Sequence, residues 1–248
     1  MTTTPPPAAS DITSPPDTAT GKIPQQTSMP QAGRSRAYTN WVERVCREDA
    51  GARSALRSGL RKDLDAVQRM HRLVAPWLPE RCSADMERAY YAVAAMIAAQ
   101  PRSALAAPEL SAAGSLQSDG QKSSRGARRR RPSLGTAFAT AVTEGPAREK
   151  EMRAGTAESR LNLLTRQSVN GLHRHLPASV GYLRSLGVEV DWAQLLDDIS
   201  DWRLRSGRIS RTWLQDFYRL RDKAAAQQAD DAEERELAAD QASAPASP

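Results

Sequence analysis

Arginine is the residue type through which this chain could do chemistry, and the chemistry is the holding of anions. Arg53, Arg57 and Arg61 recur every fourth residue beside the small apolar stripe Ala52, Leu56 and Leu60. On a helix that spacing stacks guanidinium groups along one ridge, about 6 Å apart, close to the spacing of phosphates on a strand. The run Arg128, Arg129, Arg130 and Arg131 concentrates charge in a stretch rich in Ser, Gly and Pro. Arg160, Arg166, Arg174 and Arg184 mark the second half, and Arg203, Arg205, Arg208 and Arg211 cluster at the turn expected before the last helix. Aromatic residues do not interleave with these cations as they do on single-strand stacking platforms. The pattern therefore predicts contact with a nucleic-acid backbone and no base readout. The competing reading is intrahelical pairing: Asp49 lies four residues before Arg53 and Asp65 four after Arg61, while Arg57 has only arginines at those distances.

Catalytic signatures are missing from the sequence. It contains no Gly-rich phosphate loop, no H-E-x-x-H, no Cys-x-x-Cys and no Gly-x-Ser-x-Gly. His173 and His175 would point to different sides of a helix, so a shared metal is not expected. The adjacent pair Asp197 and Asp198 diverges in the same way and reads as solvated charge beside core-facing Leu196 and Ile199. Cys46 and Cys82 are too few for a disulfide framework or a zinc set and read as reduced thiols. The expectation is a chain that is not an enzyme and takes no cofactor or metal.

The elements that must carry the arginines are helical. Tyr38, Trp41, Val42, Val45 and Cys46 keep the three-and-four spacing of one helix face, as do Leu64, Val67, His71 and Val74 up to Pro76. Met86, Tyr90, Val93 and Ile97 lie in a stretch that is apolar almost all round, which predicts a central buried helix. Leu161 and Leu164 lie on a helix that Thr156 could cap. Leu172, Leu176, Val180, Leu183 and Leu186 form the next row, with Gly187 at the place of a left-handed cap. Pro177 interrupts that row and predicts a kink or a break. Asp191 followed by Gln194 reads as a capping box, and Ile209, Trp213, Phe217 and Leu220 define the last helix.

The chain has 248 residues and a net charge of +6. Residues 1–33 carry a net of −1 and residues 224–248 a net of −5, so the middle holds +12. So basic a body calls for a polyanion or an acidic protein surface. Both ends are poor in large apolar groups and are expected to be disordered. The segment 101–132, with its prolines and its arginine run, is expected to be a flexible basic loop. The expected fold is all-α: a two-lobed helical bundle, with an N-terminal lobe over 34–100, the loop over 101–132, a C-terminal bundle over 133–223, and tails at 1–33 and 224–248. The N-terminus lacks the pattern of a secretory signal, and the most apolar run, 89–99, is too short to span a bilayer. A cytoplasmic protein with no membrane partner is expected.

Taken in order, several segments resemble the CasB-type small subunit of the type I-E CRISPR Cascade complex. They are Gly-Ala-Arg-Ser-Ala-Leu-Arg at 51–57, Ala-Tyr-Tyr-Ala-Val-Ala-Ala at 89–95, Ser-Leu-Gly-Thr-Ala-Phe at 133–138 and Glu-Ser-Arg-Leu-Asn-Leu-Leu at 158–164. The fullest is 183–196, from Leu-Arg-Ser-Leu-Gly through Val-Glu-Val-Asp-Trp to Ala-Gln-Leu-Leu, followed by Trp202 and the Trp-Leu-Gln-Asp-Phe-Tyr of 213–218. The resemblance implies a non-catalytic, two-lobed helical subunit. Two copies would line a crRNA-guided complex beside its backbone and large subunits, holding crRNA and target DNA and steadying the R-loop. The alternatives are a free-standing basic nucleoid or RNA-binding protein and a helical adaptor for acidic protein partners.

Overall fold

A computed structural model describes residues 30–105, 130–143 and 152–243. Among these residues the structure is all-α, with no strand. Its helices are α1 (Gln31–Glu48), α2 (Ala50–Arg57), α3 (Gln68–Val74), α4 (Ala84–Ala99) and α5 (Arg102–Leu105), then α6 (Leu134–Thr143), α7 (Ala154–Thr165), α8 (Val169–Ser185), α9 (Trp192–Ser200) and α10 (Trp202–Ser243), which is kinked near its start at Arg205.

Local chemistry sets most of the boundaries. The Asp49 carboxylate accepts from the Gly51 and Ala52 amides at 2.7 and 2.9 Å and starts α2. Ser83 accepts from Met86 and starts α4, whose first turn carries Asp85 and Glu87 beside the positive end of the helix dipole. Ser168 caps α8, and Asp191 caps α9 by accepting from the Gln194 amide at 2.8 Å. Gln194 does not reach back to complete the box; its side chain donates to Asp198 instead. Gly187 follows α8 in the left-handed conformation, φ 75°, where a Cβ would add strain. Thr156 caps nothing: α7 begins at Ala154, with Arg153 in the cap position.

The core begins where Tyr38, Trp41, Trp77 and Tyr90 meet. Tyr38 lies 4.7 Å from Tyr90 and 5.6 Å from Trp77 between ring centroids, and its hydroxyl donates to the Tyr90 carbonyl at 3.0 Å. Each such fully buried side chain contributes about 1.5–3 kcal/mol. α4 is buried nearly all round, from Ala89 to Ala98. It packs against α1, α2 and α3 on the N-terminal side and against α8 and α9 on the other. Because α9 wedges against both α1 and α4, the apolar core is one continuous cluster from Tyr38 to Phe217. The second layer is α6 on α10. Gly135 is what lets them touch, because a Cβ there would stand 1.8 Å from the Trp213 carbonyl oxygen.

Several expectations need correction. Residues 64–77 do not form one helix: a 3-10 turn over Leu64–Ala66 precedes α3, and another, Ala75–Trp77, follows it. Pro177 does not break α8, which continues through it while Leu172, Leu176, Val180 and Leu183 are buried on both sides of it. Tertiary packing outweighs the missing hydrogen bond. Residues 31–33 already belong to α1, 102–105 to α5, and 203–211, expected in a turn, to α10. The largest difference is at the C-terminus, where α10 continues through 224–243. No residue from 225 to 237 is buried, so packing does not support it. The Ala-, Gln- and Glu-rich sequence simply propagates a helix already nucleated by the core. The rest of both expected tails and the loop residues 106–129 lie outside the described residues.

Candidate nucleic-acid interface

A basic concavity lies between the turn after α2, the middle of α4 and the first half of α8. It is a cleft of about 510 Å³. Arg61, Lys62, Arg88 and Arg174 line it, and Asp63 is the one carboxylate among its lining residues. The excess is therefore three positive charges in one hollow. Arg88 is held in place, donating to Asn170 at 2.5 Å and to Asp63 at 2.9 Å. Arg61, Lys62 and Arg174 are exposed. Arg61 has a left-handed backbone, φ 61°, uncommon for a residue with a side chain. Leu60, Leu64 and Pro177 supply apolar wall.

His173 also lines this cleft and is 8% exposed. Burial first, and then the neighbouring Arg88 charge, push its pKa down to about 4. The ring is neutral at physiological pH, and its Nε2 makes no hydrogen bond. Lys62, Arg88, Asn170 and His173 were not among the predicted site residues. No spacing rule joins them, because three separate elements bring them together.

The predicted arginines fall into different groups. Arg53 is half-buried and does not pair with Asp49. Its Nε donates to the Ala98 carbonyl at 3.1 Å and its Nη2 to the Gln100 carbonyl at 2.6 Å, closing the C-terminal end of α4. Arg184 reaches the same corner, donating to Gln100 Oε1 at 2.6 Å, the Val188 carbonyl at 2.8 Å and the Ala104 carbonyl at 3.3 Å. Burial lowers its pKa from the ordinary value. Arg131 is held by Asp197 in an enclosed ion pair. Arg160 lies over the Tyr182 ring, 4.7 Å from its centroid. The ridge expected through Arg53, Arg57 and Arg61 is interrupted, since α2 ends at Arg57 and a turn carries Arg61. Arg57, Arg61, Arg166, Arg174, Arg208 and Arg211 are exposed. Arg203 and Arg205 are exposed but paired, with Asp85 and Asp201. Arg128 and Arg129 lie outside the described residues.

A second hollow, of about 390 Å³, runs between α9 and α10 and mixes Arg130, Arg205 and Arg208 with Asp197, Asp198 and Asp201. Asp197 and Asp198 are not the solvated charge expected from sequence. Asp198 is buried and accepts from Trp213 Nε1 at 2.7 Å and from Gln194 at 2.8 Å. Burial is the main reason that its carboxyl pKa rises to about 6. Asp197 accepts from the Ser35 hydroxyl at 2.5 Å and from Arg131, and burial raises its pKa too. Arg130 pairs with Asp216 at 3.7 Å. Among the described residues no group of three or more His, Cys, Asp or Glu side chains is placed to hold a metal, and no helix is long and apolar enough to cross a membrane.

Comparison with known proteins adds a frame to this geometry. The family model for CRISPR-associated protein Cse2 matches residues 52–218. Among solved structures, a chain of a CRISPR RNA-guided surveillance complex is 34% identical, with a TM-score of 0.66 over 80% of this chain and 99% of that one. A chain of such a complex described as pre-nicking is also 34% identical, with a TM-score of 0.64 over 79% and 98%. The crystal structure of CasB from Thermus thermophilus shares the fold at 20% identity, with a TM-score of 0.51 over 74% and 97%. A search of curated proteins returns no match.

Proposed function

The chain belongs to the CRISPR-associated Cse2 family, and from that premise we propose that it is the non-catalytic small subunit of a crRNA-guided type I-E surveillance complex. In this reading it sits beside the backbone and large subunits, with a second copy of itself, and braces crRNA and target DNA. The observation that carries the proposal is the correspondence with a 34% identical surveillance-complex chain over 99% of that chain's length. The physics is compatible. Opening a duplex against a guide RNA is nearly balanced in free energy, so a few backbone contacts can tip it without any chemistry.

The exposed arginines are the residues that would bear on the strand: Arg57, Arg61, Arg166, Arg174, Arg208 and Arg211. Arg53, Arg131 and Arg184 act instead inside the fold, and a strand would not reach their bonded donors. Co-expression with the remaining subunits tests the proposal. The expected result is an RNA-containing particle of fixed stoichiometry whose affinity for target DNA falls when this chain is omitted. A chain that purifies apart from the particle and binds DNA tightly by itself would overturn it.

A further inference from the structure

We infer that the cleft between the turn after α2, α4 and α8 receives a single unpaired nucleotide, its phosphate at the Arg61, Lys62 and Arg174 rim and its base inside, beside His173. The inference rests on the proposed function only in needing a strand to pass this face, and it departs from the sequence-based expectation of contact with the backbone alone.

Three observations carry it. The first is size. A phosphate gripped by surface arginines needs no hollow, whereas about 510 Å³ lies within the range of pockets that enclose small organic ligands. The second is the division of the lining. The exposed cations stand at the edge, and Leu60, Leu64 and Pro177 offer apolar surface for the faces of a base. The third is His173. A buried ring nitrogen without a partner is an exception to the rule that buried polar groups are bonded. The neutral ring does not compete for the phosphate, and its Nε2, closed to solvent in the free protein, would reach the edge of a base, as donor or acceptor according to tautomer, on a turn of the ring toward the cleft. Arg88, fixed by Asp63 and Asn170, adds a cation already oriented in the wall.

The full chain is suited to the test because it has only three histidines, His71, His173 and His175. Their ring-proton NMR signals can be followed with inorganic phosphate, with a deoxynucleoside 5′-monophosphate, and with short single-stranded oligonucleotides that do or do not contain one abasic site. The expected result is that the His173 signal moves with the mononucleotide and not with phosphate. The intact oligonucleotide should bind about fivefold more tightly than its best-placed abasic counterpart, and Arg174→Gln should weaken both. If phosphate and mononucleotide act alike and the abasic strand binds equally well, the base pocket is overturned while the strand-bracing reading stands. If the particle captures target DNA normally yet the His173 signal is unmoved by any of these probes, the inference again fails alone. Loss of target capture when the chain is omitted concerns the proposed function and is measured separately.

Discussion

At the C-terminal end of α4, Arg53 and Arg184 give their donors to carbonyls and to the Gln100 amide oxygen. Around the neighbouring cleft, Arg61 and Arg174 stand open to solvent. Nothing in residue type separates the two sets, and Arg53 and Arg57 even share a helix. The difference lies in what faces them. A helix end offers several carbonyls with no partner in the helix, and a half-buried guanidinium close by will be taken up by them. Where the neighbours are cations, as around the cleft, the charge stays available to a ligand. Arginine density therefore marks a basic body, and the acceptors nearby, helix-end carbonyls here and aspartates at Arg88, Arg131, Arg203 and Arg205, separate the held arginines from the open ones.

The strongest way to break this contrast is at the corner. Arg184→Ala should cost about 3 kcal/mol, because it removes hydrogen bonds from a charged donor and strands their acceptors. For a domain of this size that lowers Tm by about 6–12 °C in a thermal melt. Arg184→Lys should recover only part, since a single ammonium nitrogen cannot stand in for the three separate nitrogens that Arg184 sends to its three acceptors. A normal melt together with weakened nucleic-acid binding would place Arg184 with the open set.

Next in size is the pH response of the α9–α10 hollow. The Asp198 carboxyl pKa lies near 6, above its ordinary value of 3.8, so the folded state binds this proton more tightly than the unfolded one. That contribution is complete below about pH 4 and is lost as pH rises through 6. Asp198→Asn should therefore leave stability equal or higher by about 1–2 kcal/mol at pH 7.5, with the fall between about pH 4 and 6 flattened. His173 works in the opposite sense: with its pKa near 4 against an ordinary 6.5, its contribution is complete above 6.5 and is lost as pH falls through 4. Melts of wild type and D198N across pH 4–8 separate the two.

Arg57→Glu with Arg174→Glu should change stability within about 0.5 kcal/mol each, as exposed sites do. The slope of log affinity against log salt should fall by about 0.7–0.9 for each phosphate that is no longer gripped. Arg53→Glu, by contrast, should unfold the corner. If that variant melts normally, the distinction between held and open arginines fails. The smallest expected effect is from removing 225–248. Tm should not change, helical circular dichroism should drop, and binding of the free chain to DNA should tighten modestly because a net −5 is gone.

What could be read from sequence was local. The burial of α4, the Asp191 cap and the left-handed Gly187 each follow from residues within a few positions of one another. The partners of Arg53 could not be read in that way, because Ala98 and Gln100 lie more than forty residues away and their carbonyls carry no side-chain signal. The same reason hid the cleft, where Arg88 is fixed by one residue from a turn and another from α8. Pro177 misleads because local propensity says nothing of the packing on both sides of it. The 224–243 helix escapes a reading based on burial, because a segment with nothing to bury can still extend a helix that the core has already started.

Continuity of α10 also has a practical meaning for measurement. At 1.5 Å per residue, the stretch from 224 to 243 extends about 30 Å beyond the last turns that pack on the core. A dye or spin label attached near its far end would ride on a stiff mast rather than a slack tether. Its distance to a second label on a neighbouring subunit would then report the orientation of the body itself, and a rotation of about 10° would displace the label by about 5 Å.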